Sequence, residues 1–187
     1  GLLLSSVRNV TRSDRRMRGG EWAKKEMRGS ELRGKRLGLI GYGRIARGVA
    51  EIGRNLGMEI HAFDPYIEPD LVDDYCTLHE EVDSLFRMCT HISVHCFLSP
   101  ETRNLVNSRR VSLMPKIGAD GIKCGNHIVN CARGGLMDDE ALVVALDNGS
   151  VAGAALDVFE VEPLPQNHPL RTHPRVVVTP HLGASTT

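Results

Sequence analysis

Residues 37–46 read Leu37-Gly38-Leu39-Ile40-Gly41-Tyr42-Gly43-Arg44-Ile45-Ala46, "LGLIGYGRIA", and this stretch decides the fold. An apolar run closed by glycine predicts a short buried strand. Ile45, Val49, Ile52 and Leu56 then recur at helical spacing over 44–56. Between strand and helix lies G-x-G-x-x-A. In that setting Gly41 permits a tight turn and Gly43 lets the backbone approach a pyrophosphate. Ala46 is small enough for close helix–strand packing. The helix start offers unpaired N–H groups and the positive end of the helix dipole to a phosphate. A plain strand–turn–helix has the same local pattern, as does a site for another nucleotide ligand such as adenosylmethionine. Asp64 narrows the choice. It ends the next predicted strand, 58–63, about 20 residues further on, where an acid binds ribose hydroxyls and repels a 2′-phosphate. No arginine follows it at once, so the two signals together point to NAD rather than NADP. Alone, Asp64 before Pro65 is an ordinary turn residue.

The pattern continues on both sides. Strands are predicted at 91–97, 128–132, 151–159 and 176–179, and helices at 80–89 and 138–146. Asp138 is the expected N-cap of the latter, which ends before Gly149. Short apolar strands alternating with helical segments predict an α/β fold, a Rossmann-type doubly wound parallel sheet with helices on both faces. Upstream, Leu3, Val7, Val10 and Met17 fall on one face of an amphipathic helix over 2–17, and a polar connection runs to Gly34. The expected organisation is a flanking helix and connection over 1–34 and a Rossmann core over 35–187. Pro115 to Asn126, "PKIGADGIKCGN", is polar and glycine-containing and is predicted as a surface loop.

Composition sets further bounds. The 187 residues suffice for one domain with a real core, and formal charge is balanced. Residues 1–36 carry eleven Lys/Arg against four Asp/Glu. With no stacking aromatics or basic-region motif beside them, they are expected to form a solvated basic face and not a nucleic-acid site. The five cysteines include no C-x-x-C pair, which argues against a disulfide framework or zinc site and for a reducing compartment. The apolar opening at 2–4 is too short for a signal peptide, and no stretch approaches transmembrane length. A cytoplasmic location and no membrane partner are expected.

Three residues near predicted strand ends suit chemistry at an acid substrate. Arg133, in Asn130-Cys131-Ala132-Arg133-Gly134-Gly135, faces the crevice where open α/β sheets bind ligands, and its planar fork suits a carboxylate. His181 lies in a loop after the last strand and is a natural proton donor near neutral pH. Glu162 is placed to orient the imidazole and stabilise its charged form. Reducing a ketone requires a hydride donor, a proton donor and a hold on the substrate, and NADH, His181 and Arg133 fill those roles. A surface arginine and a capped loop histidine are the ordinary alternatives. His61, His79, His91, His127, His168 and His173 show no metal-like clustering.

In this order, "GYGRIA" (41–46), "AFDP" (62–65), "SPETRNLVN" (99–107), "NCARGGLMDDEAL" (130–142), "GAALDVFEVEP" (153–163) and "TPHLGAST" (179–186) resemble the NAD-binding domain of the D-2-hydroxyacid dehydrogenases. "LLLSSVRN" (2–9) and "GEW" (20–22) extend the likeness over nearly the whole chain. The ending is most similar to the branch that oxidises 3-phosphoglycerate. The resemblance implies that Arg133 binds the substrate carboxylate and carbonyl, and that Glu162 pairs with His181 as general acid–base. It implies Gly41, Gly43, Arg44 and Ile45 at the pyrophosphate and Asp64 at the adenosine ribose. Cys96 falls in the loop after the fourth strand. Cys131, Ala132, Arg133, Asp157, His181, Gly183 and Ala184 approach the nicotinamide end. It implies a 2-hydroxy or 2-keto acid substrate and a homodimer formed through this domain by the helix at 2–17. It also implies a separate substrate-binding domain absent from this chain, without which turnover is poor. A glyoxylate or hydroxypyruvate reductase is the alternative within the family. An NAD-sensing corepressor is the alternative outside it, and Leu182-Gly183-Ala184 argues against it. The chain departs from the family pattern at Ala46, at Cys96-Phe97, and in the length of the 115–126 segment.

Overall fold

In a computed structural model describing residues 1–185, the Leu37–Ile40 run forms an interior strand of a seven-stranded sheet. The strands are β1 (Arg36–Ile40), β2 (Glu59–Phe63), β3 (Cys76–Leu78), β4 (His91–Val94), β5 (His127–Asn130), β6 (Gly153–Leu156) and β7 (Val176–Val178). Their order is β3-β2-β1-β4-β5-β6-β7, and every pair is parallel. The chain winds outward from β1 to one edge, then crosses back to β4. The switch point, where open sheets of this kind bind ligands, lies between the carboxyl ends of β1 and β4.

Helices cover both faces, as the alternating pattern predicts. Leu37 and Leu39 point to the side of α3 (Arg44–Asn55), where they pack with Ala46, Ala50 and Ile60. α1 (Leu2–Val7) lies on that side too, with Leu2 and Leu3 against Val129, Ala155 and Val177. Ile40, Ile92, Val94 and Ile128 face the other layer. That layer holds α4 (Val82–Met88), α5 (Ser108–Leu113), α6 (Asp139–Asp147) and the single turn α7 (Pro169–Thr172). Asp138 caps α6 through Ala141 N–H at 3.0 Å.

Some local expectations are corrected. The helix over 2–17 is two helices, α1 and α2 (Val10–Arg18), because Asn9 turns left-handed at φ 53° between them. The strands at 91–97 and 151–159 end at Val94 and Leu156, where the chain leaves the sheet for the crevice. β3, α5 and α7 went unpredicted, being too short to establish a period. The 115–126 segment lies at the surface as a loop, as expected, and it is docked there. Asp120 bonds the ammonium of Lys35, which is 1% exposed, and Asp120 N–H donates to Gly34 carbonyl at 3.2 Å. Asn126 Nδ2 donates to Ser150 carbonyl at 3.1 Å. These anchors sit at the amino ends of β1 and β5, opposite the crevice. β5 stays in register with β4 from His127 to Asn130, so the segment does not disturb the strand leading to Arg133.

Polar rings are folded into this framework. His91 and His127 stack at 5.4 Å, and His127 Nδ1 pairs with Ser6 Oγ at 2.9 Å. His61 pairs with His79 at 3.0 Å, and His95 Nε2 with Ser93 Oγ at 2.9 Å. Burial pushes His61, His95 and His127 down to about 4 and His91 to about 3. These rings fold neutral, whereas in the unfolded chain they take protons near pH 6.5. Their contribution is therefore complete above pH 6.5 and declines as pH falls from there toward 4. Each depressed histidine adds a slope of up to about 1.4 kcal/mol per pH unit. Chemical denaturation from pH 7.5 to 4.5 should show stability falling steeply below 6.5. A flat profile would mean that the histidines are protonated in the fold.

Candidate functional site

The crevice is built first by the glycine turn. Gly41 has φ 87°, and its N–H donates to Phe63 carbonyl at 2.8 Å. A Cβ there would lie 2.8 Å from the backbone nitrogen of Cys96. The turn therefore lies directly on the exit of β4, and both geometry and space require glycine. Gly43 is different. A Cβ there meets no heavy atom within 4 Å, and no side chain caps the start of α3. The first-turn N–H groups of α3 open onto this space, the cradle that a pyrophosphate needs. Arg44 and Ile45 are exposed beside it, while Ala46 is buried against the sheet. The residues present fit a dinucleotide.

Asp64 closes the turn from the side. One carboxylate oxygen accepts from Tyr42 N–H at 2.8 Å and the other from Tyr66 N–H at 3.0 Å. Each oxygen keeps a second lone pair for a ribose hydroxyl. Tyr42, unremarked in the sequence, is 1% exposed and donates its hydroxyl to Asp73 at 2.7 Å. It thus ties the phosphate-side turn to the loop after β2. Its signal was slight, a ring in the G-x-G gap where any residue is allowed. Cys96 lies behind Gly41, and burial pushes its thiol up to about 11, so it stays protonated.

The other half of the crevice lies at the ends of β5, β6 and β7. Asn130, 2% exposed, shapes the turn after β5. Its Nδ2 donates to Arg133 carbonyl at 2.9 Å, and its Oδ1 accepts from Ala132 N–H at 3.0 Å. Gly134 makes that turn possible, because a Cβ there would meet the Phe159 carbonyl at 2.0 Å. Cys131 and Arg133 are left exposed, and Arg133 lines a cleft of about 280 Å³ together with Glu162 and His181. The three residues singled out in the sequence are thus brought together. Glu162 Oε2 meets His181 Nδ1 at 2.8 Å, and Glu162 Oε1 accepts from Phe159 N–H at 2.9 Å. The hydrogen bond from His181, then that from Phe159, holds the Glu162 carboxyl below its ordinary range. A carboxylate on Nδ1 leaves Nε2 as the nitrogen that can exchange a proton.

Asp157 fixes the loop that carries the histidine. It is 1% exposed. Oδ1 accepts from Thr179 Oγ1 and from Leu182 N–H at 2.8 Å, and Oδ2 from Gly183 N–H at 2.7 Å. His181 between them has φ 55°, a left-handed conformation that costs a non-glycine residue about 1–2 kcal/mol. The hydrogen bonds on either side hold it there. Burial opposes ionisation of Asp157, but these donors and the nearby His181 outweigh it and hold the carboxyl below its ordinary value. This stabilisation is present above the ordinary carboxylate range and is lost as pH falls through the lowered value. Ala184 is exposed next to the loop, while Thr186 and Thr187 lie outside the described residues.

Comparisons with known proteins bear on the family and the fold. Residues 1–183 match the family described as D-isomer specific 2-hydroxyacid dehydrogenase, NAD binding domain. The D-3-phosphoglycerate dehydrogenase of Methanocaldococcus jannaschii is 41% identical over 187 residues, covering 100% of this chain and 34% of that protein. The chain thus spans about a third of the length of this curated relative. A glyoxylate reductase from Paecilomyes thermophila superposes with TM-score 0.86 at 33% identity, covering 99% of this chain and 53% of that one. The NAD-dependent formate dehydrogenase of Staphylococcus aureus in complex with NAD does so with TM-score 0.81 at 32% identity, covering 95% and 52%.

Asp157→Asn replaces an acceptor oxygen by an amide that faces a backbone N–H. It should cost about 1–3 kcal/mol of stability, seen as a lowered Tm. An unchanged Tm would show that the carboxylate is not what holds the loop.

Proposed function

This chain belongs to the D-isomer specific 2-hydroxyacid dehydrogenase family, as its NAD-binding domain, and from that premise we propose that it supplies the cofactor site and catalytic groups of a D-3-phosphoglycerate dehydrogenase. The observation that carries the catalytic reading is the 2.8 Å contact between Glu162 and His181 in a cleft shared with Arg133. NAD, when bound, takes up or delivers the hydride at the substrate's C2. Arg133 binds the substrate carboxylate through its planar fork. His181 Nε2 accepts the hydroxyl proton in oxidation and returns it in reduction. Glu162 fixes the ring's tautomer and stabilises the imidazolium that forms. Asp157 and Asn130 hold the two loops that present these groups. Gly41, Gly43, Arg44 and Ile45 receive the pyrophosphate, and Asp64 receives the adenosine ribose. Cys96 backs the adenosine side. Cys131, Ala132, Gly183 and Ala184 border the nicotinamide end.

The curated relatives support 3-phosphoglycerate as substrate, and the glyoxylate reductase neighbour supports the alternative. A homodimer through the N-terminal helices fits the exposed apolar residues Val10 and Met17 on α2 and Trp22 in the connection that follows it. The five free cysteines fit a reducing, cytoplasmic setting. No helix among the described residues is long and apolar enough to cross a membrane.

The deciding assay joins this chain to its substrate-binding domain and follows NADH absorbance. Phosphohydroxypyruvate should be consumed fastest, and His181→Ala should abolish consumption. Faster turnover of glyoxylate or hydroxypyruvate would reassign the substrate. Turnover unaffected by His181→Ala would remove the catalytic reading. A second test needs only this chain. Gly43→Ala should leave Tm unchanged, since its Cβ meets nothing, yet weaken NADH binding measured by fluorescence. Undiminished binding would place the pyrophosphate elsewhere.

A further inference from the structure

The two catalytic arms meet at one peptide, between Phe159 and Glu160. On one side lies the turn that presents Arg133, because a Cβ on Gly134 would stand 2.0 Å from the Phe159 carbonyl and 2.3 Å from the Glu160 nitrogen. On the other, Phe159 N–H donates to Glu162 Oε1 at 2.9 Å, and Glu162 Oε2 meets His181. A shift of this peptide therefore moves Arg133 and His181 relative to each other. One side chain grips it from outside. Arg103, in the loop between β4 and α5, donates from Nη1 to Glu160 Oε1 at 2.6 Å.

Arg103 is itself a fixed point. Asn104 has φ 50°, and its N–H donates to Gly135 carbonyl at 2.8 Å, while Val106 N–H donates to Leu136 carbonyl at 3.0 Å. The loop carrying Arg103 is thus laced to the chain just after Arg133. Its guanidinium lies against Gly135, where a Cβ would meet Nη1 at 3.3 Å. Glu160 needs such a partner. It lines the cleft with Arg133 and also a cavity of about 500 Å³ with Asp138 and Asp139. Burial, with the charges of Glu160 and Asp138, pushes the Asp139 carboxyl up against the opposing pull of His168. Arg103 offsets that repulsion between like charges.

Resting on the catalytic reading above, we propose that Arg103 is a positioning residue of the dehydrogenase. Through Glu160 it holds the Phe159–Glu160 peptide, and with it the alignment of Arg133 against the Glu162–His181 pair. Both Arg103 and Glu160 are exposed, so their ion pair contributes little to stability. Its effect lies in geometry, where a misplacement of about 1 Å can cost about 100-fold in rate. The pyrophosphate and ribose residues Gly41 and Asp64 sit at the ends of β1 and β2, away from this strap.

The test uses this chain joined to its substrate-binding domain and follows NADH consumption with phosphohydroxypyruvate. Arg103→Ala should lower kcat roughly tenfold, with Tm and the KM for NADH unchanged. Arg103→Lys should restore most of the lost kcat, since one N–H contact asks only for a cation within reach. Adding Glu160→Gln to Arg103→Ala should cost nothing further, because the two side chains act as one link. Wild-type kcat in Arg103→Ala would overturn the strap. So would additive losses in the double variant, or a loss confined to the KM of the keto acid. A fall in Tm and NADH affinity alongside kcat, without rescue by Arg103→Lys, would leave Arg103 a structural role only and overturn it too. Turnover that survives His181→Ala would instead remove the catalytic reading, and the strap with it.

Discussion

At the carboxyl end of β6, a buried carboxylate accepts hydrogen bonds from a hydroxyl and two backbone amides of a single loop. Without Asp157 there is no reason for the chain after β7 to turn back over the crevice, or for His181 to hold a left-handed backbone there. The Glu162–His181 contact depends on that loop, and the cleft shared with Arg133 depends on the contact. An ionised group is well suited to this task. It gathers more than one donor at charge-assisted strength, which a neutral amide cannot do.

The parallel sheet keeps these demands apart. All strands point the same way, so every loop at their carboxyl ends faces the crevice and every loop at their amino ends faces away. The crevice ends carry Gly41, Asp64, Arg133 and His181, with open space above Gly43. The amino ends carry the buried Lys35, the stacked His91–His127 pair and the docked 115–126 segment. One end keeps polar groups available to a ligand, and the other folds them inward, leaving His91 Nε2 and Asn126 Oδ1 without a hydrogen-bond partner among the described residues.

Much of this was legible in the sequence. The strand, glycine turn and helix at 37–56 fixed the handedness and the crevice, since few alternatives satisfy that order of apolar period, Gly41, Gly43 and Ala46. Asp138 was readable as a cap because capping is a local interaction. Arg133, Glu162 and His181 could be singled out by their chemistry and by their place after predicted strands. What stayed hidden was of two kinds. β3, α5 and α7 are too short to show a period, and the break at Asn9 is one residue within an otherwise good amphipathic pattern. The other kind is long-range. The bond from Tyr42 to Asp73, the close approach of Gly134 to Phe159, and the clasp of Asp157 on 179–183 join residues whose pairing is set only when the sheet has closed.

The docking of Lys35 by Asp120 carries a consequence for how such a chain can change. A loop lengthened at the surface is usually free to shorten again. Here residues 115–126 supply the carboxylate bonded to an ammonium that water no longer reaches. Excising the segment would strand that charge unless Lys35 were replaced at the same time. The loop and the lysine are therefore locked as a ratchet. Exposed positions of the segment such as Lys116 and Lys123 can vary freely, but Asp120 in its turn cannot, and removing the segment requires two coordinated steps.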